Sequence, residues 1–231
     1  MEIIKLNNVN KVYSSKNNKV NALNNIDLII NKGELVAITG PSGSGKSTLL
    51  NIIGTIDKMT SGEYILENKR IDKLKSNEVA QIRNKIFGFV VQHFALISDY
   101  TVYENIEIPL EYAKIKNNNR KLMIESIVSK LGLKDKINKN VKELSGGQCQ
   151  RVAISRAIVN NPKIILADEP TGALDQKTGQ KVLDIFKDLN KQGKTVIIVT
   201  HDFNIANQCD RIIKLEDGYL KEDTIKEKTC I

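Results

Sequence analysis

Gly40-Pro41-Ser42-Gly43-Ser44-Gly45-Lys46-Ser47 fits G-x-x-x-x-G-K-[ST] at every fixed position. Glycines let a backbone bend sharply and come close to an anion. A turn of this kind that runs into a helix aims unpaired N–H groups at one point, with the helix dipole behind them. Lys46 would add a full positive charge on the β- and γ-phosphates of a nucleotide, and Ser47 would offer a hydroxyl to Mg²⁺. Thr48 begins the helical run directly behind.

Three further polar positions follow short apolar runs. Asp168 and Glu169 come after Ile164-Ile-Leu-Ala167. Asp168 would reach Mg²⁺, directly or through water, and Glu169 would polarise an attacking water. His201 comes after Thr195-Val-Ile-Ile-Val199 and can bridge Glu169, the water and the γ-phosphate. Gln92 comes after Ile86-Phe-Gly-Phe-Val-Val91, where an amide can bind Mg²⁺ or the water. Polar residues at several strand ends are what the carboxyl edge of a doubly wound sheet presents to a ligand. Tyr13 ends an early alternating run. It is either an adenine-stacking ring or a half-buried strand tyrosine; base–aromatic stacking is worth roughly 1–3 kcal/mol.

A second anion-binding helix start is legible at Leu144-Ser-Gly-Gly-Gln148. Ser145 is a good N-cap for a helix through Ala157, and Gly146 and Gly147 follow where the backbone must meet something closely. One nucleotide has one γ-phosphate, and the first loop already holds it. The second start makes sense if it faces a nucleotide held by another copy of the chain.

These groups need a scaffold of buried strands. Glu34-Leu-Val-Ala-Ile-Thr39, before the phosphate loop, is apolar with a β-branched bias and reads as a buried strand. Residues 2–13 and 26–30 read as an antiparallel edge ahead of the phosphate-binding strand, with a turn-prone stretch at Ser14–Asn18, and 63–66 reads as another strand. Residues 78–85 are helical by composition. From about 93 to 160 the pattern is helical, with a capping box at Thr101-Val-Tyr-Glu104 and a period of i, i+3, i+4, i+7 through Ile124, Ile127, Val128 and Leu131 before Gly132. Val182, Ile185, Phe186 and Leu189 mark an amphipathic helix closed by Gly193, and 211–220 reads as a closing hairpin. The polar tail 221–231 is expected to fray. The fold class is therefore α/β, a core sheet with an antiparallel β edge. One domain spans 1–231, its α/β core made of 1–92 and 161–231 and its helical insertion of 93–160.

Composition sets the outer limits. The 231 residues suffice for one domain with a real core. Lys+Arg 35 against Asp+Glu 27 gives a net charge of +8, and nearly all of the excess lies between Lys114 and Lys142. That segment is either a solvated lysine face or a surface near an anionic leaflet. Cys149, Cys209 and Cys230 are far apart and odd in number, which argues against a disulfide framework or a zinc site and fits a reducing compartment. No apolar run approaches the ~20 residues of a membrane span, and the first residues lack a signal core. A cytoplasmic location is expected, and any membrane role needs another chain to cross the bilayer.

Taken in order, Tyr13, the loop 40–47, Gln92, the 144–148 motif, Asp168-Glu169, the Ala173-Leu174-Asp175 turn and His201 resemble the nucleotide-binding subunit of an ATP-binding-cassette (ABC) transporter over essentially the full length. The resemblance implies a P-loop NTPase (RecA-like) core and a head-to-tail homodimer. It implies ATP sandwiched between the loop of one copy and Ser145, Gly146, Gly147 and Gln148 of the other, with Asp175 beside it. Glu169 is then the catalytic base, His201 its helper, and Ser47, Gln92 and Asp168 the Mg²⁺ ligands. Gln92 begins the segment that meets a membrane permease, so the chain is expected at the cytoplasmic face of the membrane. Thr60-Ser-Gly62, Ser98-Asp-Tyr-Thr-Val102, Glu104-Asn-Ile-Glu-Ile-Pro-Leu110 and Asp168-Glu-Pro-Thr-Gly-Ala-Leu-Asp175 resemble the branch serving lipoprotein release, macrolide export and antimicrobial-peptide resistance. Val91 departs from the aromatic residue usual before the glutamine, and Cys149 from the Gln common after the motif. A soluble ABC ATPase acting on nucleic acid or ribosomes is the other reading. Such proteins carry tandem cassettes, long coiled coils or zinc modules that this sequence lacks, so no nucleic acid is expected. A kinase or GTPase with the same loop would leave the 144–148 motif and His201 unexplained.

Overall fold

The computed structural model describes residues 1–14 and 19–226. The elements run β1 (Glu2–Ser14), β2 (Lys19–Asn31), β3 (Leu35–Thr39), α1 (Lys46–Ile53), β4 (Ser61–Leu66), β5 (Lys69–Arg70), α2 (Ser76–Ile86), β6 (Phe87–Val91), α3 (Val102–Tyr112), α4 (Asn117–Lys130), α5 (Gly146–Ile158), β7 (Ile164–Asp168), α6 (Gln176–Lys191), β8 (Thr195–Val199), α7 (Phe203–Ala206), β9 (Arg211–Glu216) and β10 (Tyr219–Ile225). Two units emerge, Met1–Ala80 with Leu189–Ile231, and Gln81–Asp188; their boundaries fall inside α2 and α6.

In the first unit, β1 pairs antiparallel with β2 and β4, in the order β2-β1-β4-β5. Alternation along β2 buries Ile26, Leu28 and Ile30 and exposes the residues between them, as a half-buried strand requires. β3 is a central strand, paired parallel along both edges with Ile38 opposite Val199 of β8 and opposite Ile213 of β9, and it is buried throughout, as strands of a parallel sheet covered on both faces are. α1 buries Leu49, Leu50, Ile52 and Ile53 and touches both β2 and β8. β9 and β10 form a hairpin over Asp217 and Gly218, both with positive φ, the backbone a two-residue type I′ turn demands.

Residues 221–225 do not fray. They belong to β10, and Arg211, 7% exposed, holds that strand through a two-pronged ion pair with Asp223 at 2.7 and 2.6 Å and a second pair with Glu34 at 2.9 Å. The strand escapes the apolar pattern because nearly every side chain on it faces solvent. Residues 227–231, including Cys230, and residues 15–18 of the expected turn lie outside the described residues. Ile86 belongs to α2 rather than to the strand after it.

In the second unit, β6 and β7 run parallel with Val91 opposite Asp168. α3, α4 and α5 enclose a core of Val102, Ile106, Leu110, Ile124, Val128, Val141 and Val152. The Thr101–Glu104 capping box starts α3, worth about 1 kcal/mol. α5 packs so closely on β6 that a β-carbon at Gly88 would stand 2.3 Å from the Ala157 carbonyl oxygen. Lys114, Lys116, Lys121 and Lys130 are all exposed. Among the described residues no helix is long and apolar enough to cross a membrane.

Candidate functional site

The phosphate loop leaves the carboxyl end of β3. Its first glycine, Gly40, has φ +146°, and a β-carbon there would lie 2.0 Å from the Leu215 carbonyl oxygen. At Gly45, φ is +99°, and a β-carbon would lie 2.5 Å from the Ala22 carbonyl oxygen. Both glycines are thus required by backbone shape and by close approach. Gly43 also has positive φ, +79°, but open space around it. Pro41 and Ser42 are exposed at the rim, and Ser44 is buried beneath, its amide donating to the Pro41 carbonyl at 3.3 Å. Gly45 precedes α1 and offers no side-chain cap. The first α1 hydrogen bond runs from the Leu49 amide to the Gly45 carbonyl, so the amides of Lys46, Ser47 and Thr48 lie ahead of it. Lys46 folds back over the loop, its Nζ donating to the Gly40 and Pro41 carbonyls at 2.9 and 2.7 Å. Uncapped amides, a glycine cradle and a lysine above it fit a phosphate chain.

Two other expected residues flank this loop. Ile38 lies opposite Val199, so Thr200 and His201 leave β8 beside the start of the loop, and the His201 side chain is exposed. Tyr13, 41% exposed, donates its hydroxyl to Asp57 Oδ2 at 2.6 Å. Burial and the Asp57 bond raise its phenol above the usual value against the opposing effect of Thr48.

The remaining residues lie in the second unit. Because Val91 is opposite Asp168, Gln92 and Glu169 step off adjacent strand ends. Glu169 holds φ +47°, a left-handed conformation costing a non-glycine residue about 1–2 kcal/mol. Such strain collects where a side chain is aimed for chemistry. The turn closes through the Gly172 amide to the Glu169 carbonyl at 3.1 Å, and a β-carbon at Gly172 would come within 3.0 Å of Gln92 Nε2. Gln92 and the 169–172 turn are therefore in contact.

Ser145 caps α5: its hydroxyl accepts from the Gln148 amide at 3.4 Å, and Gln148 Oε1 accepts from the Ser145 amide at 2.9 Å. A hydroxyl that accepts still has its own proton to donate to a phosphate oxygen. Asp175 caps α6, accepting from the Thr178 amide at 3.0 Å. The Thr178 side chain, and then that amide bond, hold its carboxyl below the usual value. Ser145, Gly146, Gly147, Arg151, Asp175 and Thr178 line a cleft of about 280 Å³.

For Mg²⁺, the structure offers the Ser47 hydroxyl at the start of α1, and Gln92 and Asp168 at strand ends. No group of three or more His, Cys, Asp or Glu able to hold a metal occurs among the described residues. Each unit by itself offers oxygen donors of the kind that suits a cation keeping several waters, a hydroxyl at Ser47 in the first and an amide and a carboxylate at Gln92 and Asp168 in the second.

The sequence reading missed three supports. Gln150, fully buried, donates from Nε2 to the Pro170 carbonyl at 2.6 Å and braces the turn after Glu169. Arg156 donates to the Phe94 and Ala95 carbonyls at 2.9 and 2.6 Å and holds the segment after Gln92, where both residues have positive φ. Lys11 and Asp57 pair beneath Tyr13. Each partner lies 20 to 62 residues away, and nothing in local periodicity marks it.

A family model described as ABC transporter matches residues 23–172. The chain is 47% identical over 221 residues to YvrO of Bacillus subtilis, an uncharacterized ABC transporter ATP-binding protein, covering 96% of each. It is 42% identical over 229 residues to the macrolide export ATP-binding/permease protein MacB of Vibrio parahaemolyticus, covering 99% of this chain and 35% of that protein. It thus spans about a third of the length of the MacB relatives. Among solved structures, the dimeric structure of MJ0796, a bacterial ABC transporter cassette, aligns with a TM-score of 0.91 at 45% identity over 98% of this chain and 100% of that one. A dimeric post-hydrolysis state of the same cassette, bound to ADP and Pi, aligns at 0.90 and 44%. The chain belongs to the ABC transporter family. Its fold is the P-loop NTPase fold of that family's ATP-binding cassettes.

Proposed function

We propose that this chain is the ATP-binding and ATP-hydrolysing subunit of an ABC exporter, working as a head-to-tail homodimer that drives a separate membrane permease. The observation that carries this reading is the pair of phosphate-shaped helix starts, the uncapped α1 behind Gly40–Gly45 and α5 behind Ser145. The dimeric assembly described for MJ0796 supports the pairing. In the proposed site, Tyr13 stacks on adenine, residues 40–48 cradle the triphosphate, and Ser145, Gly146, Gly147 and Gln148 of the second copy, with Asp175 nearby, close on it. Ser47, Gln92 and Asp168 would hold Mg²⁺, which supplies charge neutralisation on the β- and γ-phosphates. Glu169 accepts a proton from the water that attacks the γ-phosphorus. The bond from that phosphorus to the bridging oxygen breaks, and ADP and phosphate leave. His201 orients the water and the γ-phosphate.

One cassette domain then spans 1–231, with 1–92 and 161–231 as its α/β core and 93–160 as its helical part. The segment after Gln92 meets the permease. The chain sits peripherally on the cytoplasmic face, where the exposed lysines of α4 and its flanks suit an anionic leaflet. The process it energises is export, lipoprotein release or resistance to peptide antibiotics, in keeping with relatives named for macrolide export. Glu169→Gln keeps the shape of the site and removes the base. It is expected to bind Mg-ATP, hydrolyse at least about a hundredfold more slowly and elute as an ATP-bound dimer on size exclusion. Hydrolysis at the wild-type rate would remove Glu169 from the role.

A further inference from the structure

Tyr13 does not stand alone on its strand. Lys11 is only 8% exposed, and lysine is rarely buried unless paired. Its ammonium donates to Asp57 Oδ1 and to the Lys58 carbonyl, both at 2.7 Å, and lies over the Tyr13 ring, 4.5 Å from its centroid. Asp57 uses both oxygens: Oδ1 also accepts from the Lys58 amide at 2.7 Å, and Oδ2 accepts from the Tyr13 hydroxyl at 2.6 Å. The ring is thus fixed at its root by β1, where Tyr13 pairs with Val20, and at its tip by Asp57. One face is covered by an ammonium; the residue still exposes 41% of its surface. The Asp57 amide in turn donates to the Asn51 carbonyl of α1 at 3.2 Å.

We propose that Asp57 and Lys11 are positioning residues for the nucleotide base, locking Tyr13 as a one-sided stacking platform at a set distance from the phosphate loop. The inference rests on Tyr13 as the adenine-stacking residue. A ring held at both ends has little rotamer freedom left to lose when a base settles on it. The ammonium beneath draws π density away from the open face, which favours a purine there. The bond from Asp57 to α1 ties this platform to the helix whose amides read the phosphates, so base and triphosphate are measured against one element.

The test compares Mg-ATP with Mg-tripolyphosphate, which carries the phosphates and no base, by calorimetry on the full chain. Asp57→Ala, Lys11→Met and Tyr13→Phe are expected to weaken ATP about three- to tenfold and leave tripolyphosphate unchanged. The Tyr13→Phe/Asp57→Ala double variant is expected to bind ATP no worse than the weaker single variant, since both cut the same tether. Asp57→Ala strands a buried ammonium; Tyr13→Phe leaves the ion pair intact and carries the same comparison if that variant fails to fold. Equal loss for both ligands, no loss for either, or additive loss in the double variant overturns the positioning role. Tyr13→Leu separates the two ideas. If it lowers ATP affinity against tripolyphosphate while Tyr13→Phe does not, stacking stands and the tether falls. If Tyr13→Leu also leaves the ratio unchanged, the stacking reading itself falls.

Discussion

Gly147 faces Thr178 so closely that a β-carbon on the glycine would stand 2.6 Å from Thr178 Cγ2. At Gly146 the nearest heavy atom, on Leu174, would be 3.7 Å away. Neighbouring glycines at one helix start therefore have different reasons to be glycine. Gly147 is required by the packing of α5 against α6, while Gly146 has room for a side chain.

Alanine at Gly146 is thus expected to leave the melting temperature unchanged or raise it, since glycine in a helix costs about 1 kcal/mol relative to alanine. It should nonetheless lower ATPase activity if a phosphate must approach that backbone. Alanine at Gly147 is expected to lower the melting temperature, with Thr178→Ser, which removes the colliding methyl, restoring most of the loss. Thermal melts of the two single variants and the double variant check this; a Gly147→Ala protein as stable as wild type contradicts the packing argument.

The phosphate loop makes a parallel contrast. Gly40→Ala would drive a β-carbon into the Leu215 backbone, and no rotamer change relieves that. It is expected to unfold the loop and abolish nucleotide binding. Gly43→Ala meets open space and carries only the strain of its positive φ, about 1 kcal/mol. It should fold and keep measurable affinity. Equal behaviour of the two variants in nucleotide titration would contradict the geometry.

Much of this arrangement was legible because buried elements leave a strong pattern. β3, β7 and β8 are covered on both faces and read as unbroken apolar runs. The Thr101–Glu104 box and the Ser145 N-cap are local and legible from spacing alone, while the returning bond from Gln148 shows only in the fold. The first half of β2, where only Leu23 is fully buried, and residues 221–225 of β10 escape for the opposite reason: most of their side chains face water and carry no alternation. Gln150–Pro170, Arg156–Phe94 and Lys11–Asp57 join distant segments whose meeting only the fold decides.

The tether under Tyr13 also sets a pH dependence. Burial raises the Asp57 carboxyl, but the hydrogen bonds from Lys11, Tyr13 and the Lys58 amide outweigh it and hold the carboxyl below its usual value. A depressed carboxyl stabilises the fold fully above its unfolded value of about 3.9 and loses that contribution as pH falls through the lower folded value. The Tyr13 phenol, raised by burial and by Asp57, contributes below its unfolded value of about 10 and loses it as pH rises through the higher folded value. The melting-temperature gap between wild type and Tyr13→Phe should therefore stay level from about pH 5 to 9 and shrink beyond either end. A gap that titrates near neutrality contradicts the assignment.

The central claim is that each ATP is completed by two chains. Pairing a Lys46→Ala chain with a Ser145→Arg chain, each inactive as a homodimer, puts both defects in one site under that arrangement and leaves the other site whole. A covalently linked wild-type/double-variant dimer, in which each site carries one defect, sets the floor, and a linked dimer of known single-site activity sets the ceiling. The measurement is steady-state ATPase of the linked Lys46→Ala/Ser145→Arg heterodimer. The account predicts activity near the ceiling; activity at the floor, with dimerisation and ATP binding confirmed, would contradict it.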